Sequence, residues 1–258
     1  MTIHPSAIIE DGVELGPGVS VGPFAVIRNG VKIGEETSIE AHALIEGKTL
    51  IGANNKIGAG AVIGSPPQDL KYQGEETEVV IGDNNTIREY VTINRGTAQR
   101  KKTELGSGCL LMAYSHIAHD CIVGNDVILA NCATLAGHVT IEDQAIIGGL
   151  TPIHQFVKIG RLAYIGGSSR VAQDIPPFSL SAGIPLKVYG LNVVGLRRKN
   201  YSKEDRAHLK RAFKFIFSSS MNTAQALNSI KSEDIIENDS VRYLVDFITN
   251  SERGISKS

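Results

Sequence analysis

The chain has no tryptophan, only three cysteines and almost no net charge. An odd number of cysteines without paired metal-ligand spacing favours reduced thiols over a disulfide framework. The 26 basic and 27 acidic side chains nearly cancel, which gives no reason to expect a nucleic-acid or anionic-membrane partner. No segment reaches the ~18 apolar residues of a membrane helix, and the N-terminus has no secretory signal pattern. We therefore predict a cytoplasmic protein without stable membrane insertion.

The clearest pattern in the sequence is a period of six residues. From Ile3 to Val171, 26 of the 29 positions spaced six apart are Ile, Leu or Val, and the exceptions are Asp69, Glu75 and Gln99. The residue four places after each of these positions is usually small. A period of six fits neither an amphipathic helix nor a two-sided sheet, but it suits short parallel strands joined by tight turns. The period therefore predicts a β-solenoid.

This pattern resembles the left-handed parallel β-helix of the hexapeptide-repeat acyltransferases, in which three hexapeptides make one triangular coil. The resemblance implies a mainly β protein with a β-helix over residues 1–190, although another solenoid or a sandwich is the alternative. The three exceptions predict loops near 65–80 and 95–104. Such loops on a rigid scaffold are candidate walls of a binding site, or else solvated surface insertions.

The last part of the chain has a helical pattern, and we predict a small α-helical domain over residues 191–258. Ser202 is a candidate cap for its first long helix. Residues 223–230 can form a second helix, and Asp239 or Ser240 can cap a third. So small a domain buries little core by itself, so it should pack on the solenoid or on a neighbouring subunit. The last eight residues are expected to be frayed.

Four histidines in the uninterrupted part of the repeat stand outside the inward aliphatic positions: His116, His119, His138 and His154. With three hexapeptides to a coil, residues 18 apart should stack about 4.8 Å apart. Counting by 18 places His119 beside Gly137 and then Gln155, and Asp120 beside His138. A cluster of this composition on one edge of a rigid coil is typical of an active site.

Several short strings narrow the resemblance: QDLKY (68–72), TINRGT (92–97), HIAHDC (116–121), LANCATLAGHV (129–139), HQF (154–156), GLN (190–192) and GLRR (195–198). They are similar to those of the acyl-carrier-protein-dependent UDP-N-acetylglucosamine O-acyltransferases, which begin lipid A biosynthesis. The resemblance implies a homotrimer that moves a 3-hydroxyacyl group from acyl carrier protein to the sugar 3-hydroxyl. It implies neither a metal nor a cofactor beyond the phosphopantetheine of the carrier protein.

The resemblance also implies three catalytic roles. His119 matches the general base that an alcohol nucleophile needs near neutral pH. Asp120 would orient its imidazole and support the imidazolium that forms. The backbone N–H of Gly137 matches the donor that stabilises the oxyanion of the tetrahedral intermediate.

The substrate-binding residues follow from the same resemblance. Positions matched to the sugar nucleotide are Asp69, Lys71, His116, His138, His154 and Gln155, with Asn192 and Arg198 near its nucleotide and phosphates. Gly167 matches the position that measures acyl length, which predicts a long chain of about fourteen carbons. Val194 and Lys199 depart from the best-known family members, which have an acidic residue and an arginine at these positions.

Acyl carrier protein is acidic, and two basic clusters are candidate landing surfaces: Arg100, Lys101 and Lys102, and Lys210, Arg211 and Lys214. Three other functions stay open. The same base, oxyanion donor and acyl groove would serve a 3-amino sugar acceptor, which the sequence does not exclude. A γ-class carbonic anhydrase shares this solenoid, but its histidine spacing differs from the one here. A non-catalytic solenoid would have a regular polar face instead of an irregular histidine cluster.

Overall fold

The computed structural model describes residues 2–217 and 220–257. Most of its strands have two residues, because a tight turn follows each inward aliphatic residue. The strands are β1 Thr2–Ile3, β2 Ile8–Ile9, β3 Glu14–Leu15, β4 Ser20–Val21, β5 Val26–Ile27, β6 Lys32–Ile33, β7 Ser38–Ile39, β8 Leu44–Ile45, β9 Lys48–Ile51, β10 Lys56–Ile57, β11 Val62–Ser65, β12 Glu78–Ile81, β13 Thr86–Ile87, β14 Thr92–Asn94, β15 Lys102–Leu105, β16 Leu110–Leu111, β17 His116–Ile117, β18 Ile122–Val123, β19 Ile128–Leu129, β20 Thr134–Leu135, β21 Thr140–Ile141, β22 Ile146–Ile147, β23 Pro152–Ile153, β24 Lys158–Ile159, β25 Tyr164–Ile165, β26 Ser179–Ala182 and β27 Lys187–Leu191.

Every third strand joins the same sheet, which gives three sheets around one core. Sheet A contains β1, β4, β7, β10, β13, β16, β19, β22, β25, β26 and β27; sheet B contains β2, β5, β8, β11, β14, β17, β20 and β23; sheet C contains β3, β6, β9, β12, β15, β18, β21 and β24. The strands pair in parallel except for β26 and β27, and the predicted stacking by 18 is confirmed by pairs such as His116 with Thr134. The fold is the predicted left-handed parallel β-helix with a few helices at its end.

Two insertions explain the gaps in the aliphatic series. Lys48 pairs with Glu78, 30 residues later instead of 18, and Glu78 pairs with Lys102, 24 residues later. The excess is twelve residues between β11 and β12 and six between β14 and β15. Both are multiples of six, so the series keeps its phase and loses only three positions.

The core is a column of stacked aliphatic side chains. Ile27, Ile117 and Leu135 are each fully buried, and so are the small residues that follow four places later, such as Cys121 and Val139. Burying such an aliphatic side chain stabilises the fold by roughly 1.5–3 kcal/mol relative to exposure. Repeated along the coils, this burial makes a rigid support for the turns.

The helices are α1 Val193–Arg198, α2 Lys203–Phe217, α3 Thr223–Lys231, a 3-10 helix Asp234–Glu237 and α4 Asp239–Thr249. Ser202 caps α2 as predicted, since its Oγ accepts the Asp205 N–H at 2.9 Å. The predicted cap of α4 is wrong: the Asn238 side chain accepts the N–H groups of residues 240 and 241 instead. None of the helices in the described residues is both long and apolar enough to cross a bilayer.

The helices lie on the last coils of the β-helix. Their buried residues share a core with Leu162 and Phe178 of the coils. Tyr243 of α4 donates a hydrogen bond of 2.5 Å to Glu142, and the Arg161 guanidinium lies 4.8 Å from the centre of the Tyr243 ring. The predicted domain boundary at residue 190 falls inside β27, and the division into two domains stays a prediction.

The expectation of a frayed C-terminus is wrong for the described residues up to 257. Ile255 forms a parallel bridge with Asp174 and is 7 % exposed. Ser251 Oγ donates to the Asp174 carboxylate at 2.7 Å, and Arg253 donates to the Ala172 carbonyl. Burial of Ile255 together with these bonds holds the segment on the end of the β-helix.

Candidate active site

The histidine cluster lies on the edge between sheets B and C. His119 and Asp120 stand in the turn that joins β17 to β18. Asp120 has a φ of 60°, and the residues stacked on it, His138 and Phe156, have φ of 62° and 64°. This left-handed conformation makes the tight turn, and its repetition in each coil places the three side chains one above another. The predicted column of Asp120 and His138 is confirmed.

His119 and Asp120 form a hydrogen-bonded pair. His119 Nδ1 lies 2.8 Å from Asp120 Oδ2, and the Asp120 side chain is completely buried. Burial acts most strongly on the pKa of Asp120 and would raise it, but hydrogen bonds from His119 and Thr97 hold it below its ordinary value. Asp120 is therefore a carboxylate at neutral pH. Since a carboxylate accepts, His119 carries its proton on Nδ1 and leaves the Nε2 lone pair available as a base.

His138 faces the same carboxylate from the next coil. Its Nε2 is 3.5 Å from Asp120 Oδ2, and its ring meets the His119 ring edge-on at 5.2 Å. Phe156 stacks on the other face of His138 at 4.6 Å. Burial lowers the pKa of His138, so this imidazole is uncharged at neutral pH and can exchange hydrogen bonds with a polar ligand.

Gly137 lies directly beneath the His119 ring. A Cβ added at Gly137 would stand 2.5 Å from Cε1 and 2.6 Å from Nε2 of His119. Within residues 2–217 and 220–257, no protein group accepts a hydrogen bond from the Gly137 N–H. The amide is therefore available to an oxygen bound next to the imidazole, which is the arrangement an oxyanion requires.

A cleft of about 790 Å³ opens beside this pair. The first insertion forms one wall and contributes Asp69 and Lys71, while the second contributes Thr97. His119, His138 and Gln155 line the opposite side together with Phe156. The cleft thus brings together both insertions and the histidine edge.

The other two histidines lie beside the cleft. His116 Nδ1 is 2.6 Å from Thr92 Oγ1, and the pKa of His116 is lowered by burial and by the proximity of His119. His154 is exposed, and its Nδ1 is 3.1 Å from the backbone oxygen of Gln155. Each flanks an inward aliphatic residue of sheet B, His116 beside Ile117 and His154 beside Ile153.

Three of the predicted residues lie elsewhere on the chain. Asn192 and Arg198 line a groove of about 500 Å³ over sheet A, whose apolar wall includes Ile128 and Tyr164. Gly167 lies on the edge between sheets A and B, where Asn131, Gly149 and Gly167 stack in one column. The Asn192 side chain is bonded to Gly195 N and to the Leu162 carbonyl, so it caps α1. One chain alone does not gather all twelve predicted residues around one cleft.

Other reactive groups near the pair have limited chemistry. Burial raises the pKa of Cys121, which follows Asp120, to about 12, so this thiol is not a nucleophile at neutral pH. The ligand atoms of His119, Asp120 and His138 lie within 4.8 Å of one another, close enough to share a divalent ion.

Thr97 and Phe156 are two residues of the cleft to which the sequence assigned no role. Thr97 donates to Asp120 from its backbone N at 2.9 Å and from Oγ1 at 2.6 Å. It lies in an insertion, where counting by 18 gives no neighbour. Phe156 is half exposed, and counting by 18 from His138 leads to it directly.

The sequence and structural comparisons agree. The profile of UDP-N-acetylglucosamine O-acyltransferase domain 2 matches residues 174–256, that of bacterial transferase hexapeptides matches 102–137, and that of a GMPPB C-terminal domain matches 1–103. The acyl-[acyl-carrier-protein]–UDP-N-acetylglucosamine O-acyltransferase of Aliarcobacter butzleri is 51 % identical over 257 residues, covering 98 % of this chain and 97 % of the relative. The chain belongs to this family.

Solved structures of the O-acyltransferase family agree with this assignment. The UDP-N-acetylglucosamine acyltransferase of Campylobacter jejuni is 42 % identical and superimposes with a TM-score of 0.93, with all of both chains covered. That of Francisella novicida is 35 % identical with a TM-score of 0.96, covering 100 % of this chain and 94 % of that one. The family predicted from the motifs is confirmed, as is the fold.

Proposed function

We propose that this protein transfers a 3-hydroxyacyl chain from acyl carrier protein to the 3-hydroxyl of the glucosamine in UDP-N-acetylglucosamine, the first step of lipid A biosynthesis. The observation that carries the proposal is the His119–Asp120 pair above the Gly137 amide, beside a cleft that His119 lines. We also propose a cytoplasmic location, which the free thiols of Cys109, Cys121 and Cys132 support, because unpaired cysteines are typical of a reducing compartment.

The positions of His119, Asp120 and Gly137 support the following reaction steps. His119 Nε2 takes the proton of the sugar hydroxyl as its oxygen attacks the thioester carbonyl, and Asp120 stabilises the imidazolium. The carbonyl oxygen becomes an oxyanion and accepts the Gly137 N–H. Collapse of the intermediate breaks the C–S bond, and the departing phosphopantetheine sulfur takes the proton back from His119. The ester forms with no covalent enzyme intermediate, and His119 returns to its neutral state.

The sugar nucleotide would occupy the cleft between the first insertion and the histidine edge. Asp69, Lys71 and Gln155 line it and offer both charged and amide groups to sugar and phosphate oxygens. His116 and His154 would bind at its margin, and His138 beside the catalytic pair. We propose that Asn192 and Arg198 serve the cleft of a neighbouring copy in a homotrimer, because on their own chain they line a different groove.

Gly167 is proposed to measure the acyl chain. Its backbone conformation is open to other residues, and an added Cβ would approach only Gly149, at 3.2 Å from its O and 3.6 Å from its N. Gly167→Met should therefore fold and should shift the preferred donor from about fourteen carbons to a shorter chain, as product analysis with carrier proteins of several lengths would measure. Lys56→Met, on the exposed face of β10, adds the same side chain elsewhere. An unchanged length preference in Gly167→Met would contradict this role.

The carrier protein is proposed to dock on α2. Among the candidate basic residues, Arg100 and Lys102 pair with Glu104, and Arg211 pairs with Glu233 and Asp234. Lys101, Lys210 and Lys214 have no ion pair in the described residues, and of these Lys210 and Lys214 flank a cavity of about 740 Å³ with an apolar wall that includes Phe213. These two lysines are therefore the better candidates.

Reversing both charges, Lys210→Glu with Lys214→Glu, should raise KM for the carrier protein about tenfold and leave kcat near that of the wild type. The increase should shrink at high ionic strength, because salt screens exposed charges. Lys203→Glu on the first turn of the same helix is the matched control. Equal KM values for the double variant and the control would remove α2 from the docking surface.

Product analysis tests the overall function. Purified protein is mixed with hydroxyacyl carrier proteins and UDP-N-acetylglucosamine, and the product is examined by mass spectrometry and by lability to alkali. An alkali-labile ester is expected. An amide formed only with the 3-amino analogue would instead favour the N-acyl reaction, and stoichiometric zinc with neither product would favour a metalloenzyme at His119, Asp120 and His138.

A further inference from the structure

The segment from Asn94 to Thr97 touches both halves of the cleft. It begins with the last residue of β14, on the same edge as the turn that contains His119 and Asp120, and it continues into the second insertion. Its side chains reach the first insertion in one direction and the His119–Asp120 pair in the other.

Towards the first insertion, Asn94 and Arg95 donate five hydrogen bonds, one of which runs from the Asn94 side chain to the Ser65 carbonyl at 3.4 Å. The Asn94 side chain donates to the Pro66 carbonyl at 3.0 Å, and the Arg95 backbone N donates to the Ser65 carbonyl at 3.1 Å. Arg95 Nη1 donates to the Gly64 carbonyl at 2.9 Å, and its Nε donates to Tyr72 Oη at 3.0 Å. The guanidinium also lies 5.7 Å from the centre of the Tyr72 ring. Asn94 thus holds the base of the loop, while Arg95 reaches its middle.

Tyr72 is linked in turn to the residues that line the cleft. The Asp69 carbonyl accepts the Tyr72 N–H at 3.0 Å, and the Asp69 carboxylate accepts the Lys71 N–H at 3.0 Å. Tyr72 Oη donates to the Glu75 carbonyl at 2.9 Å. These bonds are local to the loop, so among the hydrogen bonds of the described residues it is Arg95–Tyr72 that ties the turn carrying Asp69 and Lys71 to the coil.

The coil leaves room for the Arg95 side chain. A Cβ on Gly47 would stand 2.8 Å from Arg95 Nη1, and Gly47 has a φ of +66°. The arginine therefore crosses the backbone at a glycine, where a larger residue would displace its guanidinium.

Towards the catalytic pair, Thr97 holds Asp120. Its backbone N–H binds Asp120 Oδ1, and its hydroxyl binds Oδ2, the oxygen that faces His119. Two donors on two carboxylate oxygens fix the plane of the carboxylate. The orientation of the imidazole depends on that plane.

We infer that residues 94–97 position both halves of the active site: Arg95 positions the acceptor-binding loop through Tyr72, and Thr97 positions Asp120. The inference rests on the proposed function, and it assigns neither residue a contact with the reacting atoms. The two residues should therefore affect different kinetic constants.

Arg95→Met should raise KM for UDP-N-acetylglucosamine roughly tenfold with little change in kcat, because a loosened loop must be ordered when the sugar binds. Tyr72→Phe removes the same bond from the other side and should raise KM in the same direction. The KM increase in the double variant should be smaller than the product of the two single increases, since both changes remove the Arg95–Tyr72 bond. Arg95→Lys should restore part of the binding, and Arg88→Met, on the exposed surface beside Glu89, is the matched control.

Thr97→Val keeps the backbone donor and removes the hydroxyl. It should lower kcat roughly tenfold, the effect of losing one hydrogen bond to a charged group, and leave KM for the sugar nucleotide unchanged. Thr97→Ser keeps the hydroxyl and should restore the activity.

Hydrogen exchange separates this inference from the proposed function. Amides 68–77 should exchange faster in Arg95→Met and Tyr72→Phe than in the wild type and in Arg88→Met. Unchanged exchange, or a KM like that of the control in both variants, would overturn the role of Arg95. Equal kcat for Thr97→Val and the wild type would overturn that of Thr97. A wild type that makes no ester would refute the proposed function alone, because the exchange measurement still tests the loop.

Discussion

Replacing His119 by alanine is expected to lower kcat for ester formation about 10²- to 10⁴-fold, the usual contribution of a general base. The sugar hydroxyl then has no acceptor for its proton, while the cleft keeps its walls. KM for UDP-N-acetylglucosamine should change far less than kcat, because Asp69, Lys71 and Gln155 remain. Steady-state kinetics with carrier-protein donor and quantified ester would measure both constants.

A remote histidine supplies the control. His42 is exposed and stacks on Phe24 on a different edge of the coil, so His42→Ala should keep wild-type kinetics. Asp120→Asn should also lower kcat, because the amide does not stabilise the imidazolium as a carboxylate does. A His119→Ala enzyme within a few-fold of the wild-type kcat would exclude His119 as the base.

The period of six residues predicts most of the fold. Each aliphatic position demands an inward side chain, and a one-residue slip would turn it to solvent. This is why counting by 18 along the sequence correctly places Asp120 beside His138 and His119 over Gly137. The insertions of twelve and six residues also follow from the three exceptions, although their conformation does not.

The remaining contacts depend on residues outside the six-residue repeat. Arg95 reaches Tyr72 across 23 residues of sequence, and Thr97 reaches Asp120 across the same separation, a spacing unrelated to the coil. The C-terminal segment docks through Ile255, which no repeat predicts. The repeat also gives no neighbour for Asn192 and Arg198, since their proposed partner cleft lies on another copy of the chain.

Gly137→Ala is expected to lower kcat about 100-fold, although it adds only one methyl group. Gly137 has a backbone conformation open to alanine, so the variant should fold. The new Cβ would stand 2.5–2.6 Å from Cε1 and Nε2 of His119, which is too close for any contact, and the imidazole must move. A displacement near 1 Å at the reacting centre is enough for a loss of this size.

A fall in kcat caused by the displaced imidazole can be distinguished from one caused by lower stability of the fold. Gly149→Ala adds a methyl in another turn of the same β-helix, where the nearest atom is the Asn131 carbonyl oxygen at 3.1 Å. Its kcat should stay near that of the wild type, and thermal unfolding should give similar Tm values for the two variants. A Gly137→Ala enzyme with wild-type kcat would mean that His119 can leave its place over residue 137 without cost to catalysis. The geometry of imidazole above amide would then not be the arrangement in which the reaction occurs.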